Sequence, residues 1–554
     1  MPVCKECHLG FEISEKEREF CRRFLVPAPE VCRPCRLREL MAFRNEWTLY
    51  KRKCDLTGED IISAYSPDSP FTVYKNDVWW GNDWDAMDYG RDYDFSRPFF
   101  EQYAELQKVI PREGTSVFSS ENSDYNCHIR ESKNCYLNSL VYQCEDTHYS
   151  YWMVHDKDVM DSMYTNESEK CYSCTSVNGG YDCVQLEEST NSKECYFSYQ
   201  LRGCDHCIYC TNLVNKSYYM FNKPCTQAEF EEMKGKLLNG TYSRWKQSYD
   251  HYLEVRKKAK HRALHNLNCE NVTGDHLYNC RNLEDCFESF DSEEGVNAVS
   301  LDRSKMVHNI YSAGWPGCEG VYFSSVIRGS KDIAFSTYIW SSGSMRYCDS
   351  CSGCDSCFGC IGLQHKKYCI LNKQYSKEEY ESLMPKIVEH MKSASAIAGQ
   401  AGGWGKFFPH HLSPYAYNES AAQDFFPLDK KEIVGGGWRW RERDEKEYQP
   451  ATIAEIPDSI HDVADSIINE ILACEDCGRN YKIVKQELRF YRKMNLPIPR
   501  KCPGCRHKSR FQLRNPLKLF DRTCGACGKN IRSSYAPGRT ENVLCDECYL
   551  KAVS

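Results

Sequence analysis

Long apolar runs are missing from this chain of 554 residues: nowhere do eighteen uncharged apolar residues follow one another, and the opening MPVCKECHLG has neither a basic n-region nor an apolar h-region. No membrane partner is therefore expected, and the default address is the cytoplasm. Catalytic signatures are missing too. No GxGxxG, P-loop, HExxH or GxSxG stands in a suitable context, and the 16 histidines are scattered, so no phosphate cradle, metalloprotease helix or nucleophile elbow is expected. This reads as a protein that is not an enzyme. The formal net charge of −7 selects no partner by itself. What the chain has in excess is cysteine, 35 in all. In a reducing compartment such thiols serve as metal ligands or as small buried apolar groups rather than cross-links. The length predicts several domains.

Sliding the sequence on itself aligns residues 4 to 80 with residues 474 to 550 at a constant offset of 470, without a gap. A repeat of this length is a duplicated domain. Cys4, Cys7, Cys32 and Cys35 fall on Cys474, Cys477, Cys502 and Cys505, while Phe20, Arg36 and Arg44 recur as Phe490, Arg506 and Arg514. Two CxxC turns offer four thiolates, the set that zinc takes in closed tetrahedral sites. We expect three structural zinc sites: Cys4, Cys7, Cys32 and Cys35; Cys474, Cys477, Cys502 and Cys505; and Cys524, Cys527, Cys545 and Cys548. A fourth is broken, because Thr57, Lys75 and Val78 replace the cysteines that would join Cys54. Its fold is expected to persist, with the VWWGNDW stretch packing where a metal would sit.

The stretch CEDCGRNYKIVKQELRFYRKMNLPIPRKCPGCR resembles the bacterial "probable zinc-ribbon" domain family, treble-clef-like modules that pair CxxC with a mid-domain aromatic and a Pro-x-Cys-x-x-Cys-Arg end. The whole chain is similar to a group of cysteine-rich bacterial proteins with a ribbon, array, ribbon layout. The resemblance implies zinc and a fold and implies no reaction.

Between the ribbons a twelve-residue period appears, as in Cys135, Thr147, Val159, Cys171, Cys183, Cys195, Cys207 and Tyr219. Taking that column as position two, positions five, eight and eleven also hold small or apolar residues. A tight coil whose rungs pair at strand spacing would turn all four columns inward. The run CDSCSGCDSCFGC at residues 348–360 then fills columns that hold Ser, Ile and Val in the preceding rungs. A cation shared by Cys204, Cys207 and Cys210, or by Cys354, Cys357 and Cys360, is the competing reading. The geometry is similar to that of insect antifreeze β-solenoids. However, no rung clearly has cysteine at both positions two and eight, and the outward columns are not threonine, so neither a cross-coil disulfide nor ice binding is implied. The columns drift between residues 266 and 316.

The two arrays are copies at offset 150, and each ends in a capping box, Thr226 with Glu229 and Ser376 with Glu379. A longer helix is expected through YDHYLEVRKKAKHRAL, and a Gly- and Pro-punctuated linker from about Ser393, in which His410 and His411 are packed or exposed rather than ligands. The expected fold is mainly β with α: a double zinc ribbon (1–112), a first β-solenoid array (113–225), a helical segment (226–265), a second array (266–375), a capping helix and linker (376–470) and a basic double ribbon (471–554).

From Cys474 to Arg522 fourteen Lys and Arg stand against four Asp and Glu. The cations Lys482, Lys485, Arg489, Arg492, Lys493, Arg500, Lys501, Arg506, Lys508, Arg510 and Arg514, with Tyr481, Phe490, Tyr491 and Phe511 among them, suit phosphate contacts and base stacking. RNA, or the ribosome, is the first expected partner. The alternatives are that these charges solvate the module or pair with the acidic residues 83–95, or that the chain is a scaffold whose outward solenoid column (Tyr136, Tyr172, Tyr196, Ile208, Met220) binds a protein or a second copy.

Overall fold

The computed structural model describes residues 1–395, 403–442 and 444–553, so part of the predicted linker, residues 396–402, lies outside the described residues. The fold is mixed α/β, with twelve α-helices among the described residues and many short strands, none of whose sheets closes into a barrel. The chain forms two compact units. One consists of Met1–Thr115, Leu264–Arg441 and Pro516–Leu519, the other of Ser116–Ala263, Glu442–Asn515 and Phe520–Ser554. Each unit joins one terminal cysteine module to one central array, and the pairing is crossed. The N-terminal module sits with the second array, and the C-terminal module with the first.

Within the arrays, neighbouring strands run parallel at a twelve-residue register. Cys171 pairs with Cys183, Cys195 with Cys207, Met345 with Cys357, and Cys357 with Cys369. The columns expected to point inward are buried. Cys171, Cys183, Cys195 and Cys207 at position two have no exposed surface, and Ser150, Ser162, Cys174, Leu186, Ser198 and Cys210 at position five have none either. In the second array Cys348, Cys351, Cys354, Cys357 and Cys360 are at most 2% exposed.

Small polar residues are tolerated there because the backbone satisfies them. Ser162 Oγ donates to Met160 O (3.0 Å) and accepts from Cys174 N one rung on (3.1 Å). Thiols replace these hydroxyls in kind: Cys348 Sγ donates to Arg346 O at 3.3 Å and Cys351 Sγ to Asp349 O at 3.4 Å. Every third residue also has a left-handed backbone, as at Asn134, Leu137, Leu140, Gln143 and Asp146 (φ 50 to 59°). Each such residue costs roughly 1–2 kcal/mol for an L-amino acid. The hydrogen bonds between rungs and the burial of the inward columns offset that strain.

The drift near residues 266–316 has a physical source. Asn268 and Asn279 ladder eleven residues apart, whereas Ser304 meets Cys318 and Ser325 Oγ reaches Tyr311 O at fourteen. The rungs there differ in length, so a fixed period loses step. Both arrays end as expected, in helices started by complete capping boxes at Thr226–Glu229 and Ser376–Glu379. The long helix stops earlier than expected, at Lys258. Residues Lys260–Arg262 instead form a strand parallel to Asn542–Leu544 of the C-terminal module. His261, fully buried and held by Tyr535 Oη at 3.0 Å, supplies the anchor that ends the helix.

One inward position carries an acid. Asp156 is 2% exposed, accepting from Ser168 N (2.7 Å) and Thr165 Oγ1 (2.6 Å). Burial pushes its carboxyl up to about 7 against the pull of these two bonds. Its ordinary value is about 3.9, so between the two the folded state keeps a proton that the unfolded chain loses. Stability is therefore highest below that window and falls as pH rises through it. Asp156→Asn can keep the bond from Ser168 N and reverse the one to Thr165, Nδ2 donating to Oγ1, and is expected to match the wild type near pH 4. Above pH 7 it should exceed it by on the order of a few kcal/mol, as read by urea unfolding at both pH values.

The duplicated modules coincide element by element. Helices Glu15–Arg23 and Lys485–Lys493, helices Arg33–Ala42 and Pro503–Gln512, and hairpins Tyr50–Lys53/Asp60–Ser63 and Phe520–Thr523/Asn530–Ser533 all stand 470 residues apart.

Candidate metal centres

In each intact module the first CxxC lies in a tight turn and the second opens a helix. Cys474 O accepts from Gly478 N (2.9 Å) while Cys474 N donates to Arg479 O (3.0 Å). The residue after the second cysteine is left-handed in all three, at His8 (φ 58°), Gly478 (φ 74°) and Gly528 (φ 72°), as a backbone folding back on its own thiolates requires. Cys32 and Cys502 are N-caps of helices with proline in the first turn, placing their sulfurs at the positive end of a helix dipole.

Three four-cysteine groups result: Cys4, Cys7, Cys32 and Cys35; Cys474, Cys477, Cys502 and Cys505; and Cys524, Cys527, Cys545 and Cys548, each with its sulfurs within 4.8 Å of one another. The Sγ pairs Cys7–Cys32, Cys477–Cys502 and Cys527–Cys545 are 3.6, 3.8 and 3.8 Å apart. A disulfide needs about 2.05 Å, whereas a tetrahedron of thiolates about 2.3 Å from a central cation has edges of about 3.8 Å. All cysteines are free thiols. One thiol per group is drawn toward the thiolate. Cys32 falls to about 5, chiefly through its hydrogen bond from Cys35. Cys474 falls to about 7 and Cys524 to about 6, where backbone N–H donors outweigh the opposing effect of burial.

The broken fourth site packs as expected. Cys54, Tyr74, Val78 and Trp79 form an apolar cluster with Ile61, Trp80 and Trp84 against it, and Lys75 pairs with Glu59 and Asp77. The interior cage does not form. Among the described residues neither Cys204, Cys207 and Cys210 nor Cys354, Cys357 and Cys360 gather all three sulfurs within 4.8 Å of one another, and each thiol donates to a backbone carbonyl.

The module joins its array through buried charge. In the second unit Asp161, 1% exposed, faces Arg510 Nη1 (2.9 Å) and Arg506 Nε (3.0 Å), and Arg506 also meets buried Glu487 (3.3 Å). In the first unit the equivalent Glu17 is fully buried and binds Arg36 and Arg33, with His308 Nε2 at 3.3 Å. These acids were not picked out among the candidate residues, although Glu17 and Glu487 stand at the same 470-residue offset as the cysteines.

This placement divides the basic patch. Arg506 and Arg510 are buried, Arg492 pairs with Asp465 (2.6 Å), Lys493 with Asp158 (2.6 Å) and Lys501 with Asp476 (2.8 Å). Arg500 lies over Tyr242 and Arg514 over Tyr164. Lys482, Lys485, Arg489 and Lys508 are exposed and make no ion pair among the described residues. Lys508 also lines an open cleft of about 520 Å³ with Asp476, Cys477, Cys505, Ser509 and Gln512. The aromatics expected to stack on bases are mostly core: Tyr481, Phe490 and Tyr491 are at most 7% exposed, the last two because the amphipathic helix Lys485–Lys493 turns them toward the array, and Tyr481 from the strand Asn480–Tyr481, its hydroxyl donating to Pro499 O at 2.7 Å. Of the acidic residues 83–95, Asp85 pairs with Lys366 and Asp92 with Lys373.

The outward array column is likewise occupied. Tyr172 packs on Trp245, Phe490 and Tyr491, Tyr196 on Phe230, and Ile208 has no exposed surface. It is the seam between array, helices and C-terminal module within one unit. No helix among the described residues is long and apolar enough to cross a membrane. His410 is packed, stacked on Trp438 at 3.7 Å with Nε2 3.8 Å from both Glu6 and Glu39. The structure also gathers His265, Asp275 and His276, which sequence spacing did not single out.

No protein-family model matches the chain, and no curated protein matches it. The four-cysteine groups near both ends are compatible with zinc-binding modules.

Proposed function

We propose that the chain is a non-enzymatic zinc scaffold in which three structural zinc ions hold the terminal ribbons, and the ribbons clamp two β-solenoid arrays. The observation that carries this reading is the 3.6–3.8 Å sulfur spacing in all three tetrads. Four thiolates close the coordination shell, so the ion has a folding role and no free position for substrate. The twelve-residue parallel register and its buried columns support the solenoid reading. A mercurial reagent that competes for thiolate is expected to release three equivalents of zinc per chain; release of none would refute the metal assignment.

RNA is the partner this reading favours, through the surface left after internal pairing: Lys482, Lys485, Arg489 and Lys508. Four phosphate contacts predict that log affinity for single-stranded RNA falls with log salt at a slope of about −3. Reversing Lys485 and Arg489 to Glu should roughly halve that slope with zinc content unchanged. Binding that ignores salt would point to an apolar protein contact instead.

A further inference from the structure

The first rungs of the second array hold a group of side chains unlike the thiolate tetrads. His265 lies just before the array, and Asp275 and His276 open the strand Gly274–Tyr278. Gly274 makes the approach possible: with φ 135°, a Cβ there would fall 1.7 Å from Cys286 O, so only glycine lets the strand enter this close to the next rung. Asn266 ties the loop to the strand, donating to Gly274 O (3.1 Å) and accepting from Leu277 N (3.1 Å).

Asp275 is 1% exposed, and its Oδ1 is aimed by two backbone donors, His265 N at 2.5 Å and His276 N at 2.9 Å. Both imidazoles turn Nδ1 toward this carboxylate. His265 Nδ1 is 3.3 Å from Oδ1 and 3.5 Å from Oδ2, and His276 Nδ1 is 3.6 Å from Oδ2. The rings stack at 4.6 Å with 21° between planes. Glu288, 6% exposed, brings Oε1 within 3.9 Å of His276 Nδ1.

These separations are long for N–H···O bonds, which centre near 2.9 Å. They approach the edge of a tetrahedron of N and O donors about 2.0–2.1 Å from a cation, which is about 3.3–3.4 Å. Two imidazoles and a buried carboxylate, with backbone N–H groups orienting that carboxylate, form a ligand set with outer support. Its donors suit a borderline first-row divalent cation such as Zn(II), Co(II), Fe(II) or Mn(II), rather than Ca(II) or Mg(II), which take oxygen alone.

We infer that His265, Asp275 and His276 form a fourth metal site of nitrogen and oxygen donors, with Glu288 beside it as a further oxygen. Unlike the tetrads, three protein ligands leave a position for water or an exogenous ligand.

The test uses full-length protein with its thiolate sites filled by zinc, titrated with Co(II) and followed by visible absorption and metal analysis. One equivalent of Co(II) is expected to bind with d–d bands and no sulfur-to-metal charge transfer. His265→Gln with His276→Gln, or Asp275→Asn alone, should weaken that binding by about tenfold or more while leaving the three thiolate-bound zincs and the circular dichroism spectrum unchanged. Asp275→Asn is nearly isosteric, so loss of binding there reports the ligand rather than the fold. Absence of a sulfur-free equivalent in the wild type, or equal binding by the folded variants, would overturn the inference. A thiolate charge-transfer band would instead mean that the tetrads had been open to cobalt, a failure of the zinc assignment alone.

Discussion

Replacing Cys502 with serine is expected to remove one metal ion per chain and to unfold the first C-terminal ribbon. Cys502 belongs to a four-cysteine group and is the N-cap of the helix Pro503–Gln512, so loss of a metal held there would free the start of the helix that carries Arg506 and Arg510 into the array. Structural zinc contributes an apparent 10–16 kcal/mol, roughly, to the folding of such modules, as much as the whole stability of an ordinary domain. The variant should therefore show one fewer zinc by elemental analysis and an early unfolding transition, and a strong chelator should reproduce that transition in the wild type. Cys54→Ser is the matched control. Its surroundings are tryptophan, tyrosine and valine rather than thiols, and it should lose no metal and cost about 1 kcal/mol. Equal zinc content and equal unfolding for Cys502→Ser and wild type would count against a metal at that tetrad.

Asp161→Ala should be the most damaging change away from any cysteine. It leaves Arg506 and Arg510, at 8% and 6% exposure, with Glu487 as the nearest remaining acid for Arg506. Removing one partner of a buried ion pair costs about 3–5 kcal/mol, because the other charge stays desolvated without compensation. Urea unfolding should give a lower midpoint for the second unit with little change in slope. Changing Asp161 to Leu together with Arg506 and Arg510 to Met should recover much of the loss, since an apolar substitute for a whole buried cluster is often neutral. A single variant as stable as the wild type would mean that water reaches this cluster.

The cysteine tetrads were legible in the sequence because each is written locally, as two CxxC turns at a spacing that recurs. The inward columns were legible because a stacked coil repeats its environment at a constant period, and both capping boxes because their four residues are contiguous. Docking was not legible. The 470-residue offset pairs the two modules as copies but says nothing of which array each one covers. The basic patch misled for a related reason: Arg506 and Arg510 count as surplus charge until Asp161, some 350 residues earlier, is placed against them. The burial of Tyr491 was available from the helix itself, where Glu487, Leu488 and Tyr491 share one face. The left-handed backbone at every third residue has no compositional mark, since Tyr149, Trp152 and His155 adopt it alongside Asn and Asp. The histidine cluster was hidden because His265 lies just before the array, ten residues ahead of Asp275 and outside the repeat that the period follows.

The crossed pairing of modules and arrays means that the polypeptide alternates between its two bodies, first, second, first, second, with a short return to the first at Pro516–Leu519 before it ends in the second. No single cut along the chain can separate them, and deleting a continuous stretch to remove one body takes a piece of the other. During synthesis the array from residue 116 leaves the ribosome early, yet must wait for the residues after 442 before its partner module exists. Until then Tyr172 lacks Phe490 and Tyr491, while the helices that follow the array already supply Trp245 to it and Phe230 to Tyr196.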